Sequence, residues 1–151
     1  MSVKRWLRIL VVGVAWAAIY NSAWGVAWFS FMGREWLEAT VARGRPFPWT
    51  PEFWVVWLPL TLPFGVAIAA YIASRLQSAG APEAVLTASL VVWVPSTIGM
   101  AAWGWQESLS ARVIAVDSAV NLVAMLAASL VVGVSLRAGA ARQEPTEPEL
   151  E

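Results

Sequence analysis

The chain has 151 residues, of which 59% are hydrophobic and 13% charged, and its 10 Lys and Arg balance its 10 Asp and Glu. Soluble domains carry about 25% charged residues. The apolar residues here also fall in long uninterrupted runs, so the composition predicts an integral membrane protein. Zero net charge and the lack of a basic tract argue against nucleic acid as a partner. The chain has no Cys and no His, which excludes disulfides, thiolate chemistry and the commonest ligands of haem and metals.

The apolar runs predict an all-α fold, an integral membrane four-helix transmembrane bundle that forms one domain over residues 1–137. The four predicted spans cover about residues 7–32, 54–76, 84–105 and 112–136. About 20 apolar residues suffice to cross a bilayer as a helix, so the first span is expected to tilt or protrude. Residues 138–151 are acidic and rich in Glu and Pro, which predicts a disordered acidic tail.

Two stripes of residues follow i, i+4 spacing along the first predicted span. The aromatic stripe consists of Trp16, Tyr20, Trp24 and Trp28. The small-residue stripe, one residue further round the helix, consists of Gly13, Ala17, Asn21 and Gly25. Small residues let helix backbones approach closely, so the second stripe is the candidate packing face. The aromatic stripe is expected to face lipid or to pack as bulk; the alternative is a wall that faces a bound ligand.

The first connection, residues 33–53, is the long polar one. Trp36, Leu37 and Val41 predict a short amphipathic segment that lies at the membrane interface. The remainder of the connection is predicted to be extended because it contains three prolines, which are Pro46, Pro48 and Pro51. The nearby Trp49, Trp54 and Trp57 are typical of an aromatic belt where the next span begins.

Prolines also lie inside the second and third spans. Each lacks an N–H and removes one helical hydrogen bond, so kinks are predicted at Pro59, Pro63 and Pro95. A further small-residue face at i, i+4 spacing consists of Gly65, Ala69 and Ala73. The sequence 78–82 predicts a tight turn. The short connection 106–111 predicts that the last two spans are antiparallel neighbours.

Four spans would place both termini on one side of the membrane. With the N-terminus inside, six of the 10 Lys and Arg lie on the cytoplasmic side and four lie outside. This bias favours a multi-pass protein of a bacterial inner (plasma) membrane, with cytoplasmic N- and C-termini.

The last span contains three polar residues on adjoining turns: Asp117, Ser118 and Asn121. From the helix rise, Asp117 lies about 8 Å below the outer end of its span. Asn21 lies about 21 Å above the inner end of the first span. In a hydrocarbon core of about 30 Å these depths nearly coincide, which predicts one polar intramembrane cluster of all four residues. The cluster has three interpretations: hydrogen bonding between helices, anchoring of Arg112 by Asp117, or a carboxylate that binds a proton or a ligand.

Two segments carry a resemblance to a known family. Residues 28–36 read WFSFMGREW, and residues 117–123 read DSAVNLV. They resemble the motifs of the bacterial membrane family of unknown function 1761, in which the last helix opens with an Asp. The family-like motif rests on Trp28, Gly33, Arg34 and Trp36. The chain departs from the family at Phe31, where Pro is usual, and at Val120-Asn121, which replaces an aromatic-His pair. The resemblance implies a four-span architecture and no known activity.

The sequence offers no nucleophile beside a base, no phosphate-binding loop and no paired intramembrane carboxylates. We therefore predict that the chain is not an enzyme, with no catalytic residue, no metal site and no cofactor. The sequence favours an accessory or structural subunit in the lipid bilayer. It would pack with itself as a homo-oligomer, through one of the small-residue faces, or with a larger membrane complex. The alternative is a small carrier or binder of an apolar or proton-coupled ligand that uses Asn21, Asp117 and Asn121.

Overall fold

The computed structural model describes residues 3–42, 44, 51–76, 78–106 and 109–141. The elements in chain order are α1 (Val3–Ala27), a π-helical turn (Trp28–Met32), α2 (Gly33–Val41), α3 (Pro51–Arg75), α4 (Ala81–Gln106) and α5 (Ala111–Ala141). The described part of the chain is thus helices and short connections, which confirms the all-α class. The predicted extended segment at residues 45–50 and the predicted tail from residue 142 onward lie outside the described residues.

Three helical stretches are long and apolar enough to cross a membrane. They are Val3–Val41, Ala81–Gln106 and Ala111–Gly139. The expectation of a membrane protein is therefore supported by three long apolar helices, each of which matches one predicted span. The remaining long helix, α3, covers the second predicted span and has 25 residues.

The four long helices pack side by side in antiparallel order. The Arg5 guanidinium, near the start of α1, donates to the Ala73 carbonyl near the end of α3 across 3.3 Å. The Trp16 indole donates to the Ser129 hydroxyl of α5 across 3.0 Å. A Cβ added at Gly104, near the end of α4, would meet Ile114 near the start of α5. Helices α1 and α3, α1 and α5, and α4 and α5 form the main interfaces of the bundle.

The two small-residue faces pack against each other within the chain. A Cβ added at Gly13 of α1 would lie 2.7 Å from the Val66 Cα of α3. A Cβ added at Gly65 would clash with the Gly13 carbonyl oxygen. Ala17 and Ala69 are buried close to this contact. Close packing is therefore confirmed at Gly13 and Gly65, where each face meets a helix of the same chain, whereas a Cβ added at Gly25 meets none of the described residues within 4 Å. The homo-oligomer stays a prediction.

The helix ends follow local sequence signals. Gly80 adopts φ +77°, a conformation that favours glycine, and α4 begins at the next residue, as the predicted turn requires. Ser110 precedes α5, and its hydroxyl accepts a hydrogen bond from the Val113 N–H across 3.2 Å, a typical N-cap. Helix α5 continues to Ala141, beyond the predicted end at residue 136, since residues 137–141 contain three alanines and an arginine against one glycine, and no proline.

The prolines behave differently from one another. Pro51 was predicted to be extended, but it opens α3, where its missing N–H costs nothing. Helix α3 continues through Pro59 and Pro63, and α4 continues through Pro95. None of these three ends its helix, and the kinks themselves stay a prediction.

Candidate functional site

A cavity of about 390 Å³ lies among the helices in the half of the bundle opposite the N-terminus. Its aromatic wall consists of Tyr20, Trp24, Trp28, Trp36, Trp57 and Trp103. Its polar floor consists of Asp117, Ser118 and Asn121. Small-molecule sites typically have volumes of about 300–1,000 Å³, with apolar and aromatic walls and a few polar groups. The cavity is the candidate functional site for this reason.

Most of the aromatic stripe of α1 faces into the protein and forms much of the aromatic wall. Trp16 and Tyr20 stack with ring centroids 5.1 Å apart, and Trp24 and Trp28 stack at 5.2 Å. Trp16, Tyr20 and Trp28 are buried. Trp16 packs in the core below the cavity, whereas the other three line it. The burial of Trp16, Tyr20 and Trp28 agrees with packing as bulk, and the ligand-facing alternative stays a prediction for the three residues that line the cavity.

The π-helical turn extends the aromatic wall into α2. The wide turn is closed by a hydrogen bond from the Gly33 N–H to the Trp28 carbonyl. Gly33 lies directly against the Trp28 indole, because an added Cβ would be 2.6 Å from its Nε1 atom. Trp36 then contacts Trp28 at 6.1 Å and stacks on Trp103 of α4 at 5.4 Å. Such π-turns are frequent at functional sites.

The segment predicted to lie at the membrane interface is therefore part of the site. Leu37 and Val41 are exposed, as expected, but Trp36 is only 5% exposed. Helix α2 is amphipathic, and its buried residues are Gly33, Trp36 and Thr40. The amphipathic character is thus confirmed, with a buried face that packs on residues of α4 and α5, whereas the location of α2 at the membrane interface stays a prediction.

Within the polar floor, Asp117 and Asn121 lie one turn apart on α5. The Asn121 Nδ2 atom donates to both the Asp117 carbonyl and the Asp117 Oδ2 atom, each across 2.9 Å. The Tyr20 hydroxyl of α1 donates to the Asn121 Oδ1 atom, which fixes the orientation of the amide. The Trp24 indole also hydrogen-bonds the Asp117 carboxyl. Asp117 is 6% exposed, so a buried acidic group is held by neutral donors.

Ser118 contributes a hydroxyl that no side chain or backbone group of the described residues uses. Its Oγ atom is buried and has no hydrogen-bond partner among the described residues, and the residue is 7% exposed. Its backbone carbonyl accepts a hydrogen bond from the Trp93 indole across 2.7 Å. A buried hydroxyl without a partner costs about 1–3 kcal/mol. A polar group of a ligand in the cavity would remove that cost.

Two of the predicted polar contacts are corrected. Asn21 does not join the cluster: its Nδ2 atom donates to the Thr61 hydroxyl of α3 across 2.8 Å and to the Ala17 carbonyl. Tyr20, one residue earlier, makes the contact with α5 instead. Arg112 is not anchored by Asp117 but pairs with Glu35 of α2 across 2.9 Å. Five residues turn an α-helix by about 500°, so the Arg112 and Asp117 side chains point about 140° apart.

The α4 side of the cavity was not foreseen as a site. It is formed by Ser96, Thr97, Gly99, Met100 and Trp103. These residues recur every three or four positions, which is the spacing of one helix face. That spacing was the signal in the sequence that could have identified this side of the cavity. The sequence interpretation used Trp57 and Trp103 only as markers of span ends.

Comparison of the chain with family models, with curated proteins and with solved structures found no match. The resemblance to the family of unknown function 1761 accordingly stays a prediction. The structure does assign contacts to its motif: Trp28 and Trp36 belong to the aromatic wall, and Gly33 lies against Trp28. Arg34 is exposed and pairs with Glu38 of the same helix.

Proposed function

We propose that this chain is a small-molecule-binding membrane protein that takes a small, largely apolar ligand into the aromatic cavity. The observation that carries the proposal is the buried Ser118 hydroxyl, which has no hydrogen-bond partner among the described residues and lines a cavity of about 390 Å³. The cavity is open on its α4 side, where Ser96 and Gly99 are exposed, so a ligand can reach it from the surroundings of the bundle. A ligand with one polar group directed at the polar floor would fill the space and satisfy the hydroxyl.

The accessory-subunit role predicted from the sequence relied on small-residue faces, interfacial Trp residues and an acidic tail. Of these, the faces at Gly13 and Gly65 make their contacts within the chain. The binding role, which was the alternative, has gained a cavity with the dimensions of a small-molecule site. We therefore favour a binder or carrier over a structural subunit.

In the membrane, we propose that α3 is the fourth crossing of the bundle. Its 25 residues would span about 37 Å at about 1.5 Å per residue. Both termini would then be cytoplasmic in a bacterial inner membrane, and the cavity would lie in the outer half of the bilayer. Cysteine accessibility in the Cys-free chain tests this arrangement, because cysteines introduced at Ser2 and Thr146 should both resist a membrane-impermeant reagent added to intact cells.

Binding can be tested with purified protein in nanodiscs of neutral phosphatidylcholine. Phenethyl alcohol, a neutral aromatic probe, should change the Trp fluorescence saturably, since five of the wall residues are Trp. Gly99 lines the cavity, and a Cβ added there meets no atom within 4 Å. Gly99→Phe should therefore fill the cavity without displacing the backbone, and it should weaken probe binding at least about tenfold.

Gly25→Phe is the matched control. Gly25 is also a helical glycine with no atom within 4 Å of an added Cβ, but it does not line the cavity. It should bind the probe as the unmodified chain does. Equal binding by all three proteins, or no saturable signal from the unmodified chain, would contradict the proposal.

A further inference from the structure

Given the ligand binding proposed above, on which this inference rests, the polar groups of the cavity determine which chemical class of ligand it selects. The polar floor is dominated by Asp117, whose hydrogen bonds come from the Asn121 amide and the Trp24 indole. Both donors are neutral. Among the described residues no Lys or Arg pairs with Asp117, because the nearby Arg112 pairs with Glu35. A carboxylate inside a membrane is costly unless a cation, water or a proton accompanies it.

The other polar groups of the floor do not supply a positive charge to balance the Asp117 carboxylate. The Asn121 Oδ1 atom already accepts from Tyr20, and its Nδ2 atom donates to Asp117. The Ser118 hydroxyl remains, and it can accept two hydrogen bonds and donate one. It therefore fits a donor or an acceptor, and the Asp117 carboxyl group sets the charge preference of the floor. The floor suits a ligand that donates hydrogen bonds and carries positive charge, and it opposes an anion.

The aromatic wall has the same preference. The faces of Trp and Tyr rings carry negative electrostatic potential and attract cations within about 6 Å of their centroids. Trp gives the strongest such contact, and five of the six wall residues are Trp. Neutral apolar ligands need only an apolar wall, which Leu and Val would supply equally well. A Trp-rich wall combined with a buried acid distinguishes a cation site from a general apolar pocket.

We propose that the cavity is specific for a small organic cation, an amine with an apolar body, whose ammonium group pairs with Asp117. The ammonium donates hydrogen bonds to the Asp117 carboxylate and to the Ser118 hydroxyl, while Tyr20, Trp24 and Trp28 enclose the charge and the apolar body. The volume of about 390 Å³ is near the lower end of the range for ligand sites, so the ligand is small.

A charge series on the unmodified chain tests this without any variant. Phenethylammonium, phenethyl alcohol and phenylacetate share a ring and a similar length and differ in charge. In nanodiscs of neutral phosphatidylcholine, which do not concentrate cations at their surface, the ammonium should bind at least about tenfold more tightly than the alcohol. Phenylacetate should bind more weakly than the alcohol.

Asp117→Asn then assigns the selectivity to the carboxylate. The variant keeps the size of the side chain and removes its charge, so the ratio of ammonium affinity to alcohol affinity should fall from at least about tenfold to about onefold, whatever its affinity for the alcohol alone. Gly99→Phe should weaken the binding of both probes alike. If the alcohol binds as tightly as the ammonium, or if Asp117→Asn keeps the preference, the cation inference is overturned and the ligand-binding proposal stands. If Gly99→Phe leaves both probes unaffected, the ligand-binding proposal itself fails.

Discussion

Substitution of Gly13 by Ala tests the close contact between α1 and α3 on which the bundle depends. The new Cβ would lie 2.7 Å from the Val66 Cα and 2.9 Å from the Val66 Cγ2. Carbon atoms make ordinary contacts at about 3.5–4.0 Å, so the two backbones must separate by about 1 Å. Overpacking of this kind costs about 1–3 kcal/mol. Removing a helical glycine recovers about 0.5–1 kcal/mol, so Gly13→Ala should lose up to about 2.5 kcal/mol of the free energy of unfolding.

The matched control is Gly25→Ala, which changes the same residue type in the same helix. Its Cβ meets no atom within 4 Å, so it should show only the helix-propensity gain of about 0.5–1 kcal/mol. The difference between the two variants then isolates the overpacking cost of about 1–3 kcal/mol. Reversible unfolding by sodium dodecyl sulfate in mixed micelles, followed by Trp fluorescence, measures both. Equal stabilities would show that α1 and α3 do not meet at Gly13.

Two further predictions concern hydrogen bonds between helices. Ser129 and Ser89 are both completely buried, but Ser129 accepts from the Trp16 indole whereas Ser89 bonds to its own helix. In the same unfolding assay, Ser129→Ala should therefore cost about 0.6–1.7 kcal/mol, whereas Ser89→Ala should cost less than about 0.5 kcal/mol. A larger cost for Ser89→Ala would contradict the packing of α1 on α5. Glu35→Gln breaks the partly exposed pair with Arg112 and should cost less than about 1 kcal/mol; a loss above about 2 kcal/mol would show that the pair is shielded from water.

Residue spacing was sufficient to predict the scaffold. The i, i+4 repeat of small residues at Gly13 and Gly65 predicted close helix packing, since only backbone atoms can occupy that space. Gly80 predicted the turn before α4, because its positive φ favours glycine. The membrane character followed from long apolar runs and needed no tertiary information. The contact partner of each face was not predictable, because a small-residue face fits another helix of the same chain or of a second copy equally well.

The site was predicted in part. The position of a residue along a helix follows from the sequence, whereas the direction in which its side chain points around the helix axis is harder to predict. The depth estimate brought the first and last spans together at the right height, and Tyr20 does bond to Asn121. The estimate selected Asn21 because it is polar, although its side chain points about 100° around the helix from that of Tyr20. Trp36 was missed for a related reason. Trp36 follows Trp28 by eight residues, and in a regular α-helix its side chain would point about 80° around the axis from that of Trp28. The wider π-helical turn between them removes much of that angle.

The distribution of residue sizes along the bundle explains why a cavity exists where it does. In the half that holds the N-terminus, Gly13 and Gly65 bring α1 and α3 into backbone contact. In the opposite half, three indoles in contact lie between the π-helical turn, α2 and α4: Trp28 is tilted against Trp36, which stacks on Trp103. Helices that touch at one end and are separated by indoles at the other leave a space between them, and the polar floor lies in that space. Substitutions at the glycine contact should therefore change the free energy of unfolding, whereas substitutions at the far end should change ligand affinity, and each should do so largely without the other.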